Sequence, residues 1–111
     1  MNFLTNNKEG RILGLIGLAT RVGRISLGEE KVYKDIKNNN SHLIILSSDA
    51  SENTSKKALD KCKFYSKKLI VFSDRFSLGR YTGKEFSVLI SVNDKNFSER
   101  ILQLYCEMNI N

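Results

Sequence analysis

The sequence predicts an α/β fold, a three-layer α-β-α sandwich around a small mixed sheet of about four strands. Three continuous apolar runs, Leu43–Leu46, Leu69–Phe72 and Val88–Ile90, lack the alternation of half-exposed strands. Such runs read as strands covered on both faces. Around them lie segments whose apolar residues recur at helical spacing, and helices alternating with buried strands stack in layers.

In chain order, Ile12, Leu15, Ile16 and Ala19 predict an amphipathic helix from about Asn7 to Arg21, ended by Gly23. Gly14 and Gly17 inside it mark close packing against a neighbour. Arg24-Ile25-Ser26 reads as a short strand. Ser26 followed by Glu29 is a capping-box pattern that opens a second helix, running to about Lys37 with Val32 and Ile36 inward. The polar run Asn38–Ser41 then forms a loop. Asp49-Ala50-Ser51-Glu52 is a cap-like start for a third helix that turns Ala58, Leu59, Cys62 and Tyr65 to the core. Ser73–Leu78 forms a short helix and Gly79–Glu85 a loop. The last helix, from about Asp94, carries Phe97, Ile101, Leu104, Tyr105 and Met108 on one stripe.

A chain of 111 residues with 41% hydrophobic content builds one core, so residues 1–111 are expected to form a single domain. Eighteen Lys and Arg against twelve Asp and Glu give a formal charge of +6, which favours a polyanionic partner. Cys62 and Cys106 stand far apart inside helical patterns, so neither a zinc site nor a redox pair is expected. The start, Met1 to Lys8, is polar, and the apolar stretch Ile12–Ala19 is too short to span a bilayer. A cytoplasmic protein with reduced thiols, no leader and no membrane contact is expected.

No enzyme reading finds residues to rest on. Gly79 to Glu85 has a phosphate-loop flavour, but its glycines are one residue too close and Glu85 replaces the magnesium-binding hydroxyl. It also precedes a strand instead of following one. Gly14-Leu15-Ile16-Gly17 has the spacing of a KH-type clamp, yet its middle residues belong to the helix stripe. His42 is the only histidine, so no Ser-His-Asp set forms without it, and a strand-edge role suits it better. Neither catalytic residues, metal ligands nor a cofactor are assigned.

Charge concentrates on the second helix. With Val32 and Ile36 inward, Glu30, Lys34 and Lys37 share an outward face, with Lys31 beside them. One reading is a solvated face carrying a Glu30–Lys34 ion pair. The other has Gly28 admitting a nucleic-acid backbone to the helix N-terminus while the outward side chains touch phosphates or base edges. Arg21 and Arg24 flank Gly23 and would add to such a ridge. Lys56, Lys57, Lys61, Lys63, Lys67 and Lys68 read as a solvated outer face.

Four stretches carry a resemblance: Leu15-Ile16-Gly17-Leu18-Ala19-Thr20-Arg21-Val22-Gly23; Gly28-Glu29-Glu30 with Lys34; Ser48-Asp49-Ala50-Ser51-Glu52-Asn53-Thr54 with Asp60-Lys61-Cys62; and Leu78-Gly79-Arg80 with Gly83-Lys84. Over roughly Lys8 to Leu104 the chain resembles the bacterial YlxQ-type proteins of the L7Ae/L30e superfamily of kink-turn RNA-binding ribosomal proteins. The resemblance implies an L30e-like sandwich that binds a sharply bent RNA duplex with a bulge beside sheared G·A pairs. It implies that a Gly-x-Asn-Glu-x-x-Lys stretch reads those pairs, and that a loop before the last strand covers the bulge. Gly28 then matches the Gly, Glu30 the Asn, Lys31 the Glu and Lys34 the Lys, while Gly83, Lys84, Glu85 and Phe86 match the loop. Two positions depart from the pattern. Lys31 offers only donors, suited to guanine O6, N7 or a phosphate, whereas Glu30 can still accept from a guanine edge.

The expected function is recognition of structured, kink-turn-like RNA by a monomer, ribosome-associated or in another ribonucleoprotein, with no DNA partner. Arg21, Arg24, Lys34 and Lys37 would hold the backbone while Glu30, Lys31, Lys84 and Phe86 select shape. Two alternatives stay open: a protein-docking module of the translation or RNA-processing machinery, and a nucleotide-handling enzyme with a cleft at the strands' carboxyl ends.

Overall fold

A computed structural model of the chain describes the backbone of residues 3–109 and the side chains of residues 8–109. The polar start from Met1, on which the expectation of no leader depends, lies largely outside the described side chains. Strands β1 (Ile25–Leu27), β2 (Leu43–Leu46), β3 (Leu69–Val71) and β4 (Leu89–Val92) form one sheet in the order β1-β4-β2-β3. Strand β4 runs antiparallel to both its neighbours, and β2 pairs with β3 in parallel. So β1, β2 and β3 point the same way. Each leads into a helix: α2 (Glu29–Lys37), α3 (Glu52–Phe64) and α4 (Arg75–Thr82). Helix α1 (Phe3–Arg21) precedes the sheet and α5 (Lys95–Met108) follows it.

The layers follow from strand periodicity. Alternate residues of a strand face opposite sides, so Leu43 and Ile45 enter one core with Ile12, Ile16, Leu78, Ile101 and Leu104. Ile44 and Leu46 enter the other, with Val32, Ile36, Ala58 and Cys62. Helices α1, α4 and α5 therefore cover one face and α2 and α3 the other, the three layers expected of continuous apolar strands. Each fully buried Ile or Leu contributes about 1.5–3 kcal/mol from area removed from water.

Several local expectations give way to tertiary packing. Helix α1 starts at Phe3 instead of Asn7. Strand β3 lies at the sheet edge instead of the centre, which leaves Val71 47% exposed. Leu59 is 52% exposed: α3 meets the sheet along a narrow stripe at Ala58 and Cys62, and Leu59 lies a third of a turn away. Cys106 is exposed, whereas burial pushes the Cys62 thiol up to about 11. Gly79 is a buried member of α4, so the following loop begins at Gly83, in the left-handed conformation.

The predicted capping box at Ser26 does not form, because Ser26 is a strand residue turned under α2. Its neighbours Ile25 and Leu27 pack on the opposite core. The Ser26 hydroxyl donates to Asp35 of α2, and the Asn93 amide donates to Ser26 Oγ at 2.8 Å and to Asp35 Oδ2 at 3.2 Å. Ser91 extends this chain, donating to Asn93 Oδ1 at 2.6 Å and lying 2.8 Å from Ser41 Oγ. Polar groups covered by α2 thus find partners, as burial demands. Among the described residues, no helix is long and apolar enough to cross a membrane, and no three His, Cys, Asp or Glu side chains group as metal ligands.

Candidate nucleic-acid interface

With β1, β2 and β3 parallel in direction, the N-termini of α2, α3 and α4 gather at one end of the sheet. They border a cleft of about 470 Å³. Gly28 and Glu29 come from the start of α2, Ser51 and Thr54 from that of α3, and Arg75 from that of α4. Lys84 and Phe86 come from the loop that follows α4. A helix N-terminus carries the equivalent of about half a positive charge and unsatisfied amides. Ser51 caps α3 and the Asp74 carboxylate caps α4, so of the three starts only that of α2 has no side-chain cap, and Arg75 and Lys84 add two cationic groups to the cleft.

Local chemistry sets each rim. Gly28 has φ 86° and ψ 157°, a region essentially closed to residues with a Cβ. It supplies α2 with no side-chain cap, leaving first-turn amides unclaimed by a side chain. Helix α3 is capped by Ser51, whose Oγ accepts from the Thr54 amide at 3.2 Å. Arg75 is fixed against the loop after β2: its Nη2 donates to the Asp49 carbonyl at 2.6 Å, its amide donates to Asp49 Oδ1 at 3.1 Å, and its Nε lies 3.3 Å from Oδ2.

The loop bearing Lys84 and Phe86 is strapped onto α4. The Lys84 amide donates to the Gly79 carbonyl at 2.9 Å, the Ser87 amide to the Arg75 carbonyl at 2.9 Å, and the Ser87 and Thr82 hydroxyls lie 2.8 Å apart. Phe86 is nevertheless 53% exposed, an aromatic face held out over the cleft. On the opposite rim Glu29 accepts from the Tyr33 hydroxyl at 3.2 Å, with Lys57 Nζ at 4.0 Å. Burial, and then the charge of Glu29, push the Tyr33 hydroxyl well above its usual range, so it stays protonated. Among the described Lys, Arg and His side chains, only Lys57 and Arg75 stand within 4.0 Å of a carboxylate. The Glu30–Lys34 pair of the solvated-helix reading is not formed among them.

The residues predicted from sequence do not all meet. Gly28, Lys84 and Phe86 share the cleft. Arg21 and Gly83 line a separate hollow between α1 and α4, with Arg80 and Tyr81. Arg24 and Lys31 line a third, polar hollow beside Asn39 and His42. Glu30, Lys34, Lys37 and Glu85 are exposed and line none of these. Sequence reasoning missed Glu29, Ser51, Thr54 and Arg75. The signal was present for each, since all four sit at or next to a helix start, but it becomes meaningful only once the starts share one end. The cleft also lies where a nucleotide-handling enzyme would hold its ligand. Its described polar lining offers hydroxyls, two cations and one carboxylate, without histidine or cysteine.

Two helical layers around a β1-β4-β2-β3 sheet, with an open cleft at the carboxyl ends of β1 and β2, define an L30e-like α/β domain. The chain belongs to the ribosomal protein L7Ae/L30e/S12e/Gadd45 family, whose model matches residues 10–103. It is 40% identical over 90 residues to the RNA-binding protein YlxQ of Bacillus subtilis (strain 168), covering 81% of this chain and 90% of that protein. It is 32% identical over 101 residues to the RNA-binding protein YlxQ of Enterococcus faecium, covering 91% and 97%. Among solved structures, a protein with unknown function from Bacillus halodurans C superposes with TM-score 0.81 at 44% identity, covering 84% of this chain and 94% of that one. A 15.5kD RNA binding protein from Giardia lamblia shares the fold with TM-score 0.73 at 13% identity, covering 97% and 90%.

Proposed function

We propose that this chain binds structured RNA of the kink-turn type, and that the cleft between Gly28 and Phe86 is where the bent part of the RNA sits. The observation that carries this is the convergence of three helix N-termini with Arg75, Lys84 and an exposed Phe86 on one cleft. The uncapped amides of α2 and the cations there hold phosphates, and an outward aromatic face stacks an unpaired base, a pairing of functions that RNA recognition uses. Glu29 and Glu30 supply the acceptors for guanine N1 and N2 donors, since Lys31 has none. Lys34 and Lys37 extend the positive surface along α2. The chain acts without catalytic residues, as a cytoplasmic monomer in a ribosomal or other ribonucleoprotein setting. Two curated relatives named as RNA-binding proteins support the reading.

Calorimetry tests it with two RNAs: a kink-turn duplex with a bulge and tandem G·A pairs, and the same duplex with Watson–Crick pairs in their place. At matched salt the kinked RNA is expected to bind at least tenfold tighter, about 1.4 kcal/mol. Equal affinity would reduce the activity to non-specific polyanion binding.

A further inference from the structure

The amino ends of the same strands carry a second concentration of charge. Before β1 stands Arg24, before β2 His42, and before β3 Lys67 and Lys68; Lys95 opens α5 after β4. These residues line two hollows. One, of about 410 Å³, takes Arg24, Lys31, Asn39 and His42; the other, of about 520 Å³, takes His42, Lys67, Lys68 and Lys95. His42 belongs to both, and Lys67 Nζ donates to Asn39 Oδ1 across their boundary. The two therefore adjoin, and together they are treated as one groove.

Its charge is free to act on a ligand. Five cations from four segments line it, and among the described residues none of the five stands within 4.0 Å of a carboxylate. Asp35, at its edge, is occupied by Ser26 and Asn93, and Glu99 is the other acidic group on its lining. At about 3.3 Å per residue, the stretch from His42 to Ser47 sets the far half of the groove, with Lys68 and Lys95, roughly 15–20 Å from the cleft, while Ser26 and Lys31 bring its near half up to Leu27 and Glu29 on the cleft's rim.

We propose that this groove is a second RNA-binding surface, which takes the phosphodiester backbone of a stem leaving the cleft. The inference rests on the cleft being the primary RNA site. It keeps Arg24 on the backbone, moves Lys31 from shape selection to backbone contact, and gives Lys67 and Lys68 a role beyond solvation.

The test compares Lys68→Glu/Lys95→Glu with the unaltered protein on two kinked RNAs, one with short stems and one with a stem extended by a full helical turn. Two lost phosphate contacts should weaken the long RNA roughly tenfold and make its salt dependence shallower by about 1.4–1.8 units of log–log slope. Affinity for the short RNA should not change. Phe86→Ala, run in parallel, should weaken both RNAs. If it does while the lysine variant binds the long RNA normally, the second groove is overturned and the cleft stands. If Phe86→Ala is silent as well, the cleft reading fails with it. Equal loss on both RNAs also overturns the groove, since only the long stem reaches it. A lysine variant that keeps the long RNA but loses an acidic polypeptide probe, polyglutamate, overturns it in favour of a protein partner.

Discussion

Gly79 lies so close beneath Phe86 that a Cβ built on Gly79 would fall 2.6 Å from the Phe86 Cα and 2.8 Å from the Lys84 carbonyl oxygen. Both obstacles are backbone, which cannot swing aside as a side-chain end would. The helix and the loop that bears the cleft's aromatic and cationic groups are therefore in direct backbone contact. Gly79→Ala is expected to push the loop off α4, weakening the bond from the Lys84 amide and costing about 1–3 kcal/mol of stability, as overpacking does. Thermal melting checks the stability. RNA affinity should fall more than the melting temperature alone explains, because Phe86 and Lys84 move together.

Gly28 is constrained differently. A Cβ there would meet nothing within 4 Å, so the penalty of a substitution lies wholly in the backbone angles. Gly28→Ala should destabilise by about 1–3 kcal/mol without any steric clash. The measurement is a urea transition whose midpoint falls while its slope stays constant. A shift under 0.5 kcal/mol would show that β1 and α2 relax freely around this turn.

Asp74 caps α4 and gives stability a definite acid dependence. Hydrogen bonds from the Ser77 amide and hydroxyl, then from the Phe76 amide, hold its carboxyl below the ordinary value of 3.8. A depressed folded pKa means stability that is fully present above that ordinary value and is lost as pH falls through the folded one. Asp74→Asn keeps an acceptor but carries no charge to titrate. Its melting temperature should be lower than the parent's at pH 7, with the gap closing below about pH 4. A gap that stays constant down to pH 2.5 would contradict the assignment.

Asp35 anchors the polar chain under α2. Asp35→Ala removes the acceptor of a 2%-exposed Ser26 hydroxyl and one of the two acceptors of the Asn93 amide. A buried hydroxyl left unpaired costs about 1–3 kcal/mol. The melting temperature should drop by several degrees, and Ser26→Ala in the Asp35→Ala background should recover part of it. Without that recovery, the loss would belong to α2 itself.

Much of the fold was legible because it is written in short-range periodicity. The apolar runs at Leu43 and Val88 read directly as buried strands, and the stripes through Ile12–Ala19 and Phe97–Leu104 as core-facing helices. Where the sequence misled, a distant partner had intervened. Ser26 looks like a cap until Asp35 and Asn93 draw it beneath α2. Gly79 looks like a breaker until Phe86 is seen to lie against it. Leu59 and Val71 look like core until the angle of α3 and the edge place of β3 leave them exposed.

The site divides along the same line. By itself the sequence determined the basic balance and marked Gly28, because composition and local chemistry suffice for these, while Lys84 and Phe86 were marked through the family resemblance. Only the tertiary structure decided that Glu29, Ser51, Thr54 and Arg75 join them, and that Arg24 and Lys31 stand in a different groove. The reason is physical. Which helix starts share an end depends on β4 running antiparallel between β1 and β2, a pairing between residues as far apart as Ile25 and Val92. Hydrogen bonds between distant strands set that arrangement, and no periodicity within either segment encodes it.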